Sequence, residues 1–203
     1  MNIRILIEAS HALGKDRGFW EQDKDLREEI LYIFSNVGDI AKSFKKNKRA
    51  NWEKYESLMY QLESDQESKD DFNKISKNIF EKYIKDTFED EITNVILRIT
   101  DLIGGKDIDI VEIHPWVEKY ESTDLNYFFR NTKPNENFDG KLAQWLNEAL
   151  AMCMFSSDKD KDYGLTHILF HLGSLIEFYD IDIERHLTKK IEYNRLRPLL
   201  YKS

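Results

Sequence analysis

Along most of the chain, apolar residues recur every three or four positions with charged residues between them, the pattern of one buried helix face. Residues 1–14 carry Ile3, Leu6, Ile7 and Leu13, which predicts a first helix ending near Gly14. A polar connection, KDRGFWEQDKD, follows with Phe19 and Trp20 inside it. From Leu26 to about Lys46 a single stripe runs through Ile30, Ile33, Phe34, Val37, Ile40, Ala41 and Phe44. Trp52 to Leu62 predicts a further helix, and SDQESKDD (64–71) a charged surface loop. Phe72, Ile75, Ile79, Phe80 and Tyr83 form another stripe. It leads into TFEDEITNVILRITDLIGG, where Gly104 and Gly105 mark a helix stop. The clearest linker is NTKPNENFDG (131–140), with Pro134 inside it. Leu142–Phe155 and Leu165–Tyr179 predict two more helices, and a basic helix closes the chain with Pro198 as its stop.

Composition agrees with an all-α class. Only three prolines and eight glycines serve 203 residues, too few for a sandwich with many tight turns. The length suits one domain with a substantial core, or two very small ones. A formal charge of −8 argues against general affinity for nucleic acid or an anionic membrane, though a local basic cluster can still hold a small anion. The single cysteine, Cys153, sits in an apolar run and leaves no disulfide within the chain, which suits a cytoplasmic protein. The N-terminal stretch carries Arg4 and Glu8 and lacks a signal-peptide layout. No segment reaches the ~20 apolar residues needed to span a bilayer.

The chain also echoes itself. Residues 97–120 and 170–193 align without gaps, and each places an apolar helix before DIDI and another helix after it. This points to an old duplication. At that shift Glu91 and Asn94 fall opposite Gly164 and His167, so the second copy has no acid pair.

Two short stretches could carry chemistry. SNVGDIAKS (35–43) and EDEITNVILRI (89–99) each show one acid and one asparagine three apart, Asn36 with Asp39 and Glu91 with Asn94. Residues three apart share a helix face. Two such helices packed antiparallel could offer four oxygens to Mg²⁺, a hard cation that takes carboxylates and water. The same spacing also describes the solvated polar face of an amphipathic helix. Near the C-terminus, Lys190, Tyr193, Asn194 and Arg197 lie largely on one side of a helix. They could meet phosphate oxygens, or simply form a basic helix end favoured by the macrodipole. Phe19 and Trp20 could wall a nucleobase or close the core at a helix entry. His167 and His171, four apart, could grip Zn²⁺, but their apolar flanks favour core histidines, since structural zinc usually needs four protein ligands.

GFW (18–20), SNVGD (35–39), EDEITNVILRITD (89–101), DIDIERH (180–186) and KIEYNRLRP (190–198) occur in an order that resembles the MazG-like, all-α NTP pyrophosphohydrolases, a superfamily that includes dimeric dUTPases. Residues 45–85 and 120–160 contribute little to the likeness. The resemblance implies a single MazG-like helical bundle over 1–203, with metal-site helices in 1–130 and additional C-terminal helices in 138–203. It implies metal positions at Asn36, Asp39, Glu91 and Asn94, where two of the family's four acids are amides here. Arg98 and Asp101 also fit the family pattern, or form an intrahelical ion pair.

The implied activity is Mg²⁺-dependent (or Mn²⁺-dependent) hydrolysis of a nucleoside triphosphate to the monophosphate and pyrophosphate. Asp39 and Glu91 would be the surviving catalytic ligands, with Lys190, Tyr193, Asn194 and Arg197 on the phosphates and Phe19 and Trp20 at the base. Removing two charges from the site should weaken the metal severely. The competing expectation is therefore a catalytically inactive module that binds nucleotide or protein. A helical structural module with an apolar dimer face is a third. The expected partners are a nucleoside triphosphate and a second copy of the chain in a homodimer, with neither nucleic acid nor membrane.

Overall fold

The computed structural model describes residues 1–21, 25–64, 68–133, 138–155 and 161–197, and at 26, 27, 152–155 and 161 it describes backbone alone. Pro134, Pro198, the middle of the 64–71 segment and the Cys153 side chain, all used above, lie outside these bounds. The described residues form α-helices and one 3₁₀ segment, without a strand among them. In chain order the helices are α1 (Ile3–Asp16), α2 (Leu26–Lys45), α3 (Trp52–Ser64), α4 (Lys69–Tyr83) and α5 (Phe88–Gly105). Then come α6 (Ile110–Ile113), the 3₁₀ segment (Pro115–Tyr120), α7 (Leu125–Thr132), α8 (Leu142–Phe155), α9 (Lys161–Phe178) and α10 (Ile183–Arg195). No described helix is long and apolar enough to cross a membrane.

α5 is the axis. Its Phe88, Ile92, Val95, Ile96 and Ile99 are fully buried, and α1, α2, α9 and α10 all pack against it. α2 runs antiparallel to α5: Phe44 meets Phe88 at one end, and Glu29 meets Arg98 at the other. α1 also runs antiparallel, with Gly14 against Asp101 and Ile7 against Gly104. α7 and α8 cover α9, whose Leu165, Leu169, Leu172 and Ile176 join the same core. One cluster of buried side chains thus continues from Ile3 to Ile191. A smaller cluster lies under the α3–α4 hairpin, where Tyr55, Phe80 and Ile84 enclose Tyr193 of α10.

Capping chemistry sets the boundaries. Asn2, Ser68, Thr87, Asp109, Asp124 and Asp182 each accept an amide from the first turn of the following helix. Ser68 shows why the charged stretch read as loop becomes helix from Lys69. Its hydroxyl reaches the Asp71 carboxylate (2.6 Å) and accepts the Asp71 amide. α4 and α5 are separated at Asp86 (φ 58°), just before the Thr87 cap.

The DIDI echo has the same basis. α5 and α9 are followed by left-handed aspartates, Asp107 (φ 54°) and Asp180 (φ 49°). In each case the next amide bonds back to a carbonyl five residues earlier: Ile108 to Ile103 (3.0 Å), and Ile181 to Ile176 (2.9 Å). Asp109 and Asp182 then cap the next helix. Beyond the caps the copies diverge, one turn of α6 and a 3₁₀ segment against the full helix α10.

Two buried histidines make the fold sensitive to acid. His186 accepts the Trp52 indole N–H at Nε2 (2.9 Å), and burial pulls it down to about 3. His114 bonds Thr166 (2.7 Å), and burial, aided by His167, pulls it down to about 4. Between those values and the ordinary 6.5 the unfolded chain binds protons that the folded chain excludes, so stability rises with pH there and is lost on acidification. Imidazole resonances of His114 and His186 should stay unprotonated from pH 8 to 5 in an NMR titration; titration near 6.5 would contradict this burial.

Candidate functional site

The GFW segment is a helix ending that builds one wall of a cavity. After Arg17, Gly18 takes φ 79°, and the Phe19 amide bonds back to the Gly14 carbonyl (3.0 Å). The reversal carries Trp20 over α5, where its Nε1 donates to Asp101 (2.8 Å) and its ring lies on Gly105. A Cβ at Gly105 would sit 2.0 Å from that ring, so only glycine admits it. Trp20 therefore closes the core, edge-on to His11, while Phe19 remains at the cavity.

This cavity, of about 290 Å³, lies between α1, α2, α5 and the end of α10. Arg17, Phe19, Asn36, Asn94, Arg98, Asp101 and Asn194 border it. Arg98 reaches across to Glu29 of α2 (2.8 Å), and its guanidinium lies 4.8 Å from the Tyr32 ring centroid. Asp101 accepts from Trp20 and lies 3.3 Å from His11 Nδ1, so each residue of the suspected intrahelical pair has partners on other elements. Arg17 is buried, its guanidinium over the Phe19 ring, and burial lowers its pKa, with the like charge of Arg197 adding to the effect.

The four positions implied as metal ligands come together on facing turns of α2 and α5, but they divide between two openings. Asn36 and Asn94 face the cavity just described. Asp39 and Glu91 border a neighbouring one of about 280 Å³, with Lys42, Lys46 and Lys48. Asn94 donates its amide to Glu91 (2.9 Å), and Asp39 is 3.4 Å from Lys42. Burial raises the Glu91 carboxyl, opposed by the Asn94 bond, with Asp90 and Asp39 raising it further. Among the described residues, no group of three or more His, Cys, Asp or Glu is gathered so as to hold a metal ion. A divalent ion between Asp39 and Glu91 would meet two carboxylates, one already engaged by an amide N–H. That donor set does not fit Mg²⁺ well.

The neighbouring acids do structural work. Glu89 accepts from Ala50 N (3.1 Å) and pairs with Arg49 (2.5 Å), which secures the segment before α3. Asp90 is buried and takes both oxygens to Lys190 Nζ, at 2.7 and 2.8 Å. Lys190, read as a phosphate contact, is thus inside the protein. Tyr193 stacks on Phe80 (4.4 Å) and donates to Glu81 (2.8 Å), and burial raises its phenol to about 12. Of the four C-terminal residues, Asn194 lines the cavity, and Arg197 is exposed with its guanidinium 5.9 Å from the Tyr193 ring centroid. The two histidines of α9 are packing groups. His171 stacks on Trp145 at 5.0 Å and His167 stacks on Tyr163 at 5.7 Å, and burial lowers both imidazoles.

Arg17 is the residue that sequence reasoning passed over. It stands in a polar stretch with no motif around it, and its importance comes from its burial at the cavity beside the Phe19 ring. No family model, curated protein or solved structure matches the chain.

Lys190→Met should cost about 3–5 kcal/mol in chemical denaturation, because it leaves the Asp90 carboxylate buried and unpaired. Lys190→Met together with Asp90→Leu should recover part of that loss. A single variant as stable as wild type would return Lys190 to the pool of ligand contacts.

Proposed function

We propose that the cavity between α1, α2 and α5 binds a nucleoside phosphate without a divalent ion, on a MazG-like scaffold whose metal site has been reduced. The observation that carries this reading is the division of the four implied metal positions. The uncharged amides of Asn36 and Asn94 turn toward the cavity that also holds Arg17 and Arg98. A wall of amides and guanidiniums suits an anion carrying its own hydrogen-bonding groups. Phe19 offers an aromatic face to a base. With the charge supplied by arginine, catalysis through a metal-bound water is not part of this reading. The homodimer implied by the resemblance belongs to the same proposal, and light scattering tests it.

A second reading, a working pyrophosphohydrolase, is favoured by one feature. Asp39 and Glu91 do border a common opening lined by three lysines.

Calorimetric titration with nucleoside phosphates should give the same affinity in EDTA as in Mg²⁺. Pyrophosphate release from nucleoside triphosphates should be absent with Mg²⁺ or Mn²⁺. Metal-dependent release that Asp39→Ala abolishes would overturn the binding reading in favour of the hydrolase. Turnover gained only by Asn36→Glu with Asn94→Asp would agree with a reduced site.

A further inference from the structure

Three of the seven buried side-chain polar atoms that lack a hydrogen-bond partner among the described residues belong to this one cavity wall: Arg17 Nε, Arg98 Nε and Asn194 Oδ1. Buried polar groups in native proteins are almost always satisfied, and each exception calls for a reason. Arg98 is otherwise accounted for, because its Nη2 pairs with Glu29. Arg17 is not. It is only 6% exposed, and no carboxylate among the described residues forms an ion pair with it. The other cation bearing on it is Arg197, a like charge. An isolated buried charge is costly unless something of opposite sign completes it. Asn194, on the same wall, adds the complementary function: its Oδ1 can accept a bond and has no donor to accept from.

We infer that Arg17 and Asn194 form a two-point clamp for a nucleoside monophosphate, with Arg17 donating to the phosphate and Asn194 accepting from an N–H or O–H of the nucleoside. This rests on the nucleoside-phosphate reading above and narrows it to one charge class. A monophosphate ester carries a charge of about −1.5 to −2 near neutral pH, while a triphosphate adds two more phosphate groups. The wall offers one uncompensated guanidinium, since Arg98 is neutralised by Glu29, and it also includes the carboxylate of Asp101. A protein with a formal charge of −8 repels the more highly charged anion further. The volume of about 290 Å³ lies just below the roughly 300–1,000 Å³ typical of ligand sites, which suits a monophosphate better than a triphosphate. A guanidinium at the cavity can bring to a phosphate the positive charge that a carboxylate-bound Mg²⁺ would otherwise supply.

The test is calorimetric titration of the full chain in EDTA with adenosine, guanosine, cytidine and uridine monophosphates and the matching triphosphates. At least one monophosphate should bind more tightly than its triphosphate. Arg17→Gln should weaken that monophosphate roughly 10- to 100-fold, the loss of a charge-assisted hydrogen bond. Asn194→Asp puts a carboxylate on the wall and should likewise weaken binding at least 10-fold, so it decides the matter if Arg17→Gln does not fold. Triphosphates binding tighter than monophosphates, or binding left unchanged by Arg17→Gln or Asn194→Asp, would overturn the clamp and leave the nucleoside-phosphate reading standing. No binding of any nucleoside phosphate by the wild type would overturn both.

Discussion

The ion pair between Lys190 and Asp90 is the contact on which the arrangement around the cavity depends. Both groups are almost completely buried, and the ammonium bridges both carboxylate oxygens. Removing either partner would strand a charge in the interior, so the pair holds α10 at one place along α5. One helical turn beyond Lys190, that placement sets Asn194 at the cavity. It also seats Tyr193 against Phe80, and so ties the α3–α4 hairpin to the main core. An anchor deep in the protein thus determines a polar position in the cavity wall.

The first turns of α5 spread their polar groups by helix geometry. Successive residues turn by about 100°, so Glu89, Asp90 and Glu91 cannot share a task. Glu89 turns to Arg49 and the loop before α3, Asp90 to α10, and Glu91 to Asn94 and the facing turn of α2. Two of three consecutive acids are consumed by the fold. The third is left with an amide neighbour and a raised carboxyl pKa. A motif that reads as rich in metal ligands therefore supplies few of them. Arg17, at the end of α1, instead puts a guanidinium at the neighbouring cavity.

The helices were legible because their apolar stripes are long and regular, and the core is built from those stripes. α2 and α10 appear where the pattern put them, with small shifts at the ends. The start of α4 was hidden because the Ser68–Asp71 cap lies in a stretch whose composition looks like loop. The convergence of α2 and α5 was also legible, through matching acid and amide pairs. Which way each side chain points was not. Spacing puts Asn36 and Asp39 on one face, but cannot say that they border different openings. Nor can it say that Lys190 is spent on Asp90, a partner 100 residues away. Arg17 was invisible for a related reason, since an unpaired buried charge is defined by absent neighbours.

The most direct test of metal-free phosphate binding is a crystal structure of the chain grown with a nucleoside monophosphate and Mg²⁺ together. The account predicts a phosphate within about 3 Å of the Arg17 guanidinium, with no ion between Asp39 and Glu91. A Mg²⁺ ion held by Asp39 and Glu91 and carrying the phosphate would contradict it.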